Sequence, residues 1–179
     1  MSTRTTAEER RAAGLAARET APLVSHAEWE PADGRRNPVD ILRAQNEERL
    51  EFLVPVRHAR MRVSPFTFYR GAAAIMAQDL SRTQESGLWV QAGGDAHLSN
   101  FGAYASPSRE LVFDANDFDE TLPAPWEWDV KRLAASLTIA AQNLDVPPDK
   151  QRKVAAHAVH AYRTAMQSYA QKPVMDIWY

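Results

Sequence analysis

The sequence predicts an α+β fold in which a small sheet packs against several helices. The first observation behind this prediction is that apolar residues recur at helical spacing over several long stretches. The second is a pair of short apolar runs, residues 88–92 and 110–115, whose composition and flanking turn residues are typical of strands. A chain of 179 residues with 45% hydrophobic and 25% charged residues is long enough for one domain with a core.

Two parts are expected along the chain: an arm and linker over residues 1–38, partly disordered, and one domain over residues 39–179. Residues 3–20 are rich in Ala, Glu and Arg, which predicts an exposed helix or a disordered arm. Residues 21–38 contain three prolines and a glycine, which favour an irregular linker.

Four helices are predicted within the domain from apolar spacing and from the positions of prolines. Pro55 interrupts or restarts the first of them, and the Ala-rich second has the composition of a core helix. The predicted helices cover residues 40–53, 66–80, 123–143 and 147–171. The two predicted strands lie between the second and third helices, and Ser106-Pro107-Ser108 is the expected turn between them.

Charge and composition exclude several classes of function. Twenty-one basic and 23 acidic residues give a formal net charge of −2, so no overall positive field favours nucleic acid or an anionic membrane as a partner. The lack of cysteine excludes disulfides, cysteine-ligated zinc and a thiol nucleophile. Neither an export segment nor an 18-residue apolar run occurs in the sequence, and a cytoplasmic protein is expected.

The most informative motif is Gly94-Asp95-Ala96-His97-Leu98-Ser99-Asn100, which follows the first predicted strand. Kinase-like folds place a base aspartate and a metal-binding asparagine at this spacing of five residues. Asp95 would accept a proton from a hydroxyl group, and the side-chain oxygen of Asn100 would bind Mg²⁺. Since this spacing alone is a loose pattern, turn-forming roles for both side chains are the alternative.

A dense acidic segment follows the second predicted strand. Its four carboxylates within seven residues are Asp114, Asp117, Asp119 and Glu120. Such carboxylates repel each other unless a cation or arginines compensate them, so a metal site is expected. Asp117 is the first candidate ligand and Asp119 the reserve, with Asp114 replacing them if the strand register differs. The alternative is a solvated loop, against which the flanking Phe113 and Phe118 argue because they are expected to pull the segment into a core.

Three further sets of side chains belong to the predicted site or its surroundings. His97 either binds a metal or holds the Asp95 loop through a hydrogen bond, and the second role is favoured because hard cations seldom use imidazole. Arg70, at a predicted helix start, is a candidate for binding phosphate, with an ion pair to Asp79 or to the Asp117 cluster as the alternative. On the third predicted helix, Trp126 and Trp128 are expected core anchors. The charged Asp129, Lys131 and Arg132 either brace the acidic loop or form a solvated face.

Taken together, the motifs resemble a bacterial family of uncharacterised proteins called DUF2252. The resemblance runs from residue 53 to residue 179. Its motifs include Tyr69-Arg70-Gly71, residues 94–102, residues 116–121, Lys131-Arg132-Leu133 and Ile177-Trp178-Tyr179. Members of that family are typically longer, which implies that this chain corresponds to their N-terminal part and that the domain is incomplete at its C-terminus.

The central motif is also similar to the loop of aminoglycoside and choline kinases. Their His-Gly-Asp-x-His-x-x-Asn pattern is matched here by Asp95, His97 and Asn100, whereas Gly93 replaces the first histidine. Asp117 followed by phenylalanine resembles the metal-binding Asp-Phe of those enzymes. The resemblance implies part of the large lobe of a kinase-like, aminoglycoside phosphotransferase-like fold, with Asp95 and His97 in the catalytic loop.

That resemblance also implies Mg²⁺ and ATP as cofactors. Protein kinases supply a lysine to the nucleotide phosphates from a segment upstream of the catalytic loop. Only four of the 21 basic residues here are lysine, and all four follow Asp95, beginning with Lys131. The phosphate-binding lysine is therefore absent, replaced by arginine, or located elsewhere.

The leading expectation is that the complete protein transfers phosphate from ATP to a small hydroxyl-bearing molecule, with Mg²⁺ on Asn100 and Asp117. A metal-dependent hydrolase or nucleotidyl transferase that uses Asp117 and Asp119 to hold two ions is one alternative. A non-catalytic, pseudokinase-like binding module is another. This chain alone is expected to be inactive and to self-associate or bind a missing C-terminal segment through an aromatic patch at Trp178 and Tyr179.

Overall fold

In the computed structural model, which describes residues 5–178, helices and short strands form an α+β arrangement, as predicted. The helices are α1 (Ala7–Thr20), α2 (Pro38–Glu47), α3 (Val54–Met61), α4 (Pro65–Arg70), α5 (Ala73–Leu80), α6 (Glu127–Asn143), α7 (Pro148–Tyr169) and α8 (Met175–Trp178). The strands are β1 (Trp89–Ala92), β2 (Phe101–Ala105), β3 (Leu111–Ala115) and β4 (Leu122–Pro125). The aromatic patch predicted at the C-terminus involves the Trp178 side chain and Tyr179, which lie outside the described residues.

The strands form two separate antiparallel pairs rather than one small sheet. β1 pairs with β4 between the Trp89↔Pro125 and Ala92↔Leu122 partners. β2 pairs with β3 between the Phe101↔Ala115 and Ala105↔Leu111 partners. The two predicted strands exist as β1 and β3, but the expectation that they are joined by the 106–108 turn is wrong, because that turn connects β2 to β3.

Three of the predicted helices differ in extent from the structure. The helix expected over residues 40–53 ends at Glu47, and Glu51–Leu53 forms a separate 3₁₀ turn before α3. The single helix expected over residues 66–80 is divided into α4 and α5 at Gly71, which packs against Met61 so closely that a Cβ would lie 2.7 Å from the Met61 sulfur. The helix expected from residue 123 begins only at Glu127, because Pro123 and Pro125 belong to β4. Pro55 restarts the chain as helix in the first turn of α3, where the missing N–H of proline breaks no hydrogen bond.

Helix α6 is central to the domain and packs on α7, α4 and α5. Its buried residues are mostly polar: Glu127, Arg132, Ser136 and Ala141. Since buried polar groups need partners, each polar member of this set marks a point where α6 holds another segment. At its N-terminus, Trp126 stacks on Tyr162 of α7 with ring centroids 5.8 Å apart, which fits the predicted anchoring role of Trp126.

The N-terminal segment forms the predicted helix and an irregular linker. Thr6 caps α1 through a reciprocal capping box with Glu9, and no residue of α1 is buried. The linker is tied to α5 by a bidentate ion pair in which Arg35 donates to the Asp79 carboxylate at 2.6 and 2.8 Å. Among residues 5–178, none of the helices combines the length and apolar character needed to cross a membrane.

Candidate functional site

The loop that contains Asp95 is held by the first turn of α6. It follows β1, and the backbone N–H groups of Gly93 and Gly94 donate to the two carboxylate oxygens of Asp129 at 2.7 and 3.1 Å. Two turns further along the helix, the Ser136 hydroxyl accepts a hydrogen bond from the Leu98 N–H at 3.0 Å. Both ends of the loop are therefore fixed to one helix.

Gly94 permits a close approach between this loop and the acidic segment. Its φ is +77°, in the left-handed region that L side chains rarely adopt, and a Cβ at this position would lie 2.0 Å from the carbonyl oxygen of Glu120. Only glycine meets both conditions. The two motifs recognised in the sequence are thus in backbone contact.

A buried ion pair joins Asp95 to Arg132 of α6. The guanidinium of Arg132, which is 3% exposed, donates from Nε and Nη2 to Oδ1 of Asp95. Its Nη2 also donates to the Tyr69 carbonyl at 3.0 Å, and its plane lies 4.5 Å from the centre of the Tyr69 ring. Tyr69 in turn donates from its hydroxyl to the Arg132 carbonyl at 3.0 Å. Burial raises the pKa of Tyr69 to about 12, so this hydroxyl stays protonated.

His97 supports the loop from inside. Its Nδ1 accepts a hydrogen bond from the Ser99 N–H at 3.2 Å, and its Nε2 lies 3.6 Å from Oδ2 of Asp95. Burial, together with the positive charges of Arg132 and Arg70, lowers the pKa of His97 to about 4. The imidazole is therefore neutral at pH 7, and since Nδ1 is an acceptor, the proton is on Nε2. This geometry is that of the favoured loop-holding role.

Asn100 closes the loop. Its side-chain Nδ2 donates to the Asp95 carbonyl at 2.8 Å, and its own carbonyl accepts from the Asn116 N–H at 3.0 Å. Because the amide nitrogen faces Asp95, the side-chain Oδ1 is on the other side of the amide, where none of the described residues donates to it. Asn100 thereby links the loop to the start of the acidic segment.

An open cleft of about 780 Å³ lies against this loop. Five of the six residues predicted for the site line it together: Asp95, His97, Asn100, Arg70 and Asp117. The sixth, Asp119, is not part of the lining, and neither is Asp114. Burial raises the pKa of Asp95 against the lowering effect of Arg132, and the charge of Asp117 acts in the same direction as burial. The structure thus brings a carboxylate with a raised pKa, an amide oxygen and a second carboxylate to one cleft.

The acidic segment is more exposed than the sequence suggested. Leu111 and Phe113 of β3 are 81% and 74% exposed, and Phe118 is 60% exposed. The prediction that flanking aromatic residues pull this segment into a core is therefore wrong, because these side chains are exposed. Within residues 5–178, no three carboxylate or imidazole side chains are grouped so that they could hold a metal ion, so any metal there would need other ligands, such as amide oxygens, phosphates or waters.

Two of the neighbouring predictions also need correction. Arg70 ends α4 instead of starting a helix, and the alternative ion pair to Asp79 does not form because Asp79 binds Arg35. The charged residues at the start of α6 were expected either to brace the acidic loop or to form a solvated face. Instead, Asp129 and Arg132 hold the Asp95 loop.

Sequence reasoning missed the role of α6 as the support of the site. A signal for it exists, because Asp129, Arg132 and Ser136 are spaced i, i+3 and i+7 and so form a polar stripe along one face of α6. A polar stripe facing the interior must have polar partners. Three arginines between α2 and the end of α3 also line the cleft: Arg49, Arg57 and Arg60. They gave no interpretable signal in the sequence.

Comparison with protein families identifies the chain. The model of the family DUF2252, described as "Uncharacterized protein conserved in bacteria", matches residues 49–179, well over half of the sequence. The chain therefore belongs to this family, and the matched region includes every residue of the candidate site. Neither the curated proteins nor the solved structures gave a match.

The close approach at Gly94 predicts an unequal response to alanine at two glycines with the same backbone conformation. Gly87 has a φ of +76° and no atoms within 4 Å of a Cβ, so Gly87→Ala should cost about 1 kcal/mol from the backbone strain alone. Gly94→Ala adds the clash with Glu120 and should cost at least about 2 kcal/mol more. Urea denaturation of both variants measures the difference, and equal losses would contradict the close approach.

The neutral, buried His97 predicts an acid-sensitive fold. Its pKa is about 4 in the folded protein and 6.5 in the unfolded chain, so the unfolded state binds the proton more tightly and stability falls as the pH is lowered from 6.5 towards 4. The loss at pH 4.5 relative to pH 7 is about 2 kcal/mol. Any relief from protonation of Asp95, whose pKa is raised, has the opposite sign.

His97→Asn keeps an acceptor for the Ser99 N–H but removes the titration, so its free energy of unfolding should fall less over this pH range. Urea denaturation at several pH values compares the two proteins. Parallel pH profiles would mean that His97 does not titrate as described.

Proposed function

We propose that this member of the DUF2252 family is a Mg²⁺-dependent phosphotransferase that moves a phosphoryl group from ATP to a hydroxyl of a small molecule. The observation that carries this proposal is that Asp95, Asn100 and Asp117 line a single cleft. Phosphoryl transfer needs a group that accepts the hydroxyl proton and oxygen ligands for the metal that neutralises the phosphates. In this proposal the described domain is part of the large lobe of a kinase-like fold.

Asp95 is the residue that touches the acceptor. Its Oδ1 is occupied by Arg132, which leaves Oδ2 as the oxygen that accepts the hydroxyl proton. The raised pKa of Asp95 brings its basicity closer to that needed near neutral pH, while Arg132 orients the carboxylate. His97 is a positioning residue, because its neutral Nε2–H faces Oδ2 at 3.6 Å.

The side chains beside Asp95 fit a magnesium ion. Oδ1 of Asn100 accepts no hydrogen bond from the described residues, and Asp117 uses only one carboxylate oxygen, which accepts from the Asp119 N–H at 3.3 Å. Mg²⁺ in phosphotransferases is held by one or two protein oxygen ligands, with phosphates and waters completing the octahedron. When bound, such an ion supplies positive charge to the phosphate oxygens of the donor.

The competing functions use other features of the chain. A two-ion hydrolase or nucleotidyl transferase requires Asp117 and Asp119 to face the same space, whereas of these two only Asp117 lines the cleft. A non-catalytic binding module would retain ligand binding in the cleft without dependence on the Asp95 carboxylate. Substitutions of Asp95 and of Asp117 distinguish these possibilities.

Replacing the base should remove turnover while leaving nucleotide binding intact. In an assay of ADP formation with a panel of small amino alcohols, aminoglycosides and sugars as acceptors, Asp95→Asn should reduce kcat by about 10²-fold or more. The affinity for Mg²⁺-ATP should change little. Asp114→Asn is the matched control, since Asp114 is an exposed carboxylate outside the cleft. Undiminished turnover in Asp95→Asn would remove the base from the proposal.

The metal assignment predicts different effects of two neighbouring substitutions. Asp117→Asn should raise the Mn²⁺ or Mg²⁺ concentration needed for half-maximal nucleotide binding by about tenfold, because a charged ligand is lost. Asp119→Asn removes the same charge two residues away, outside the cleft lining, and should have little effect. Calorimetric titration of the metal in the presence of ATP measures both. Equal effects would show that Asp117 acts only through the general charge of the segment.

A further inference from the structure

The lining of the cleft beside Asp95 has a local excess of positive charge. Its lining includes the four arginines Arg49, Arg57, Arg60 and Arg70. The acidic residues of the lining are Glu48, Asp95 and Asp117, and Asp95 is already compensated by Arg132, which lies behind it. Four guanidinium groups thus face two uncompensated carboxylates, in a chain whose overall formal charge is −2. This local charge is opposite in sign to that of the whole protein.

Helix geometry directs part of this charge into the cleft. α3 contributes Val56, Arg57, Arg60 and Met61, at positions i, i+1, i+4 and i+5, which lie on one face of a helix. Arg62, at the end of the same helix, does not line the cleft. The basic side chains are therefore gathered on the cleft face of α3.

These arginines are not used to stabilise the fold through ion pairs. Within residues 5–178, Arg49, Arg60 and Arg70 form no salt bridge. Arg57 is fixed by a hydrogen bond from Nη2 to the Gly71 carbonyl at 2.6 Å, while its buried Nη1 has no partner among the described residues. Burial and the nearby charge of Arg49 both lower the pKa of Arg57, so the two guanidinium groups are close enough to repel each other.

Like charges that are only partly compensated by nearby carboxylates are unfavourable unless a ligand supplies the remaining negative charge. We infer that Arg49, Arg57 and Arg60, together with Arg70, form a binding site for phosphoryl groups. The planar fork of a guanidinium pairs bidentately with two phosphate oxygens, which suits this chemistry better than a point charge does. The inference rests on the proposed function for the identity of the ligand, which is then the triphosphate of ATP, and the alternative source of the same chemistry is a phosphorylated acceptor.

This site also accounts for the missing lysine. All four lysines of the chain follow Asp95, and none lines the cleft. The arginines of the α2–α3 region precede Asp95 in sequence and lie in the same cleft, so they occupy the part of the chain from which a kinase lysine is expected. They supply the positive charge that the transferred group requires.

The test is calorimetric titration of the purified chain with inorganic tripolyphosphate and with orthophosphate, without Mg²⁺ and at low, constant ionic strength. Wild type should bind tripolyphosphate, and the double variant Arg49→Gln/Arg60→Gln should bind it at least about tenfold more weakly, since two charge-assisted contacts are lost. Both residues are exposed and make no ion pair with the described residues, so their loss removes repulsion and no stabilising contact, and the unfolding midpoint should not fall.

The control is Arg62→Gln/Arg152→Gln, which removes the same charge from two exposed arginines outside the cleft. If tripolyphosphate binds more tightly than orthophosphate and ATP displaces it, the phosphoryl groups that bind this site come from the nucleotide. If orthophosphate binds equally well and is displaced by glycerol 3-phosphate but not by ATP, the phosphoryl group comes from a phosphorylated acceptor. Absence of binding by both anions, or an equal loss in the control variant, overturns the inference.

Measuring anion binding and turnover separately distinguishes a wrong anion site from a wrong phosphotransferase assignment. If tripolyphosphate binding depends on Arg49 and Arg60 but the protein shows no turnover, the anion site is supported and only the proposed phosphotransferase activity is contradicted. Turnover that persists in Arg49→Gln/Arg60→Gln with an unchanged KM for ATP and an unchanged KM for the acceptor removes the anion site alone.

Discussion

The ion pair between Asp95 and Arg132 is the interaction on which the candidate site depends. Arg132 is buried and Asp95 is half-buried, and because removing charges from water is expensive, the pair is stable only where further contacts satisfy the guanidinium. Tyr69 supports the guanidinium in two ways: its carbonyl accepts a hydrogen bond at 3.0 Å, and its ring lies under the Arg132 Cζ, 4.5 Å from the ring centre. α4, α6 and the loop after β1 are thereby joined through one arginine.

This constraint also determines what the cleft can do. Oδ1 of Asp95 accepts hydrogen bonds from Arg132, so only Oδ2 is left for a ligand. His97 lies beside Oδ2, and because it is neutral it adds no positive charge there. The loop is rigid at both ends through Asp129 and Ser136, so the oxygens of Asp95 and Asn100 have a fixed relation to each other. Asp117 lies on an exposed segment and is less constrained. A site with one rigid side and one adaptable side suits a ligand, such as Mg²⁺-ATP, that brings part of the coordination shell with it.

The sequence predicted the parts of this arrangement that depend on local patterns. The existence of β1, β3 and the major helices follows from short apolar runs and helical spacing, and the gathering of Asp95, Asn100 and Asp117 follows from motifs at strand ends. β4 was missed because two of its four residues are proline, which sequence rules exclude from most strands. The partners of Arg132 were missed because 37 residues separate it from Asp95, and spacing on a helix indicates a shared face without naming what that face contacts. The exposure of Phe113 shows the same limit, since alternation along a strand does not reveal whether a face is covered.

A double-mutant cycle in urea denaturation measures the coupling free energy between Asp95 and Arg132, on which the site depends most directly. Asp95→Asn and Arg132→Met each leave a buried partner uncompensated, and Arg132→Met should cost about 3 kcal/mol of stability. The double variant should cost clearly less than the sum of the two single variants, with a coupling free energy of about 2 kcal/mol. The exposed pair of Lys153 and Asp149, 3.9 Å apart, provides a reference whose coupling should be below about 0.5 kcal/mol. Additive losses at Asp95 and Arg132 would contradict the claim that this ion pair organises the site.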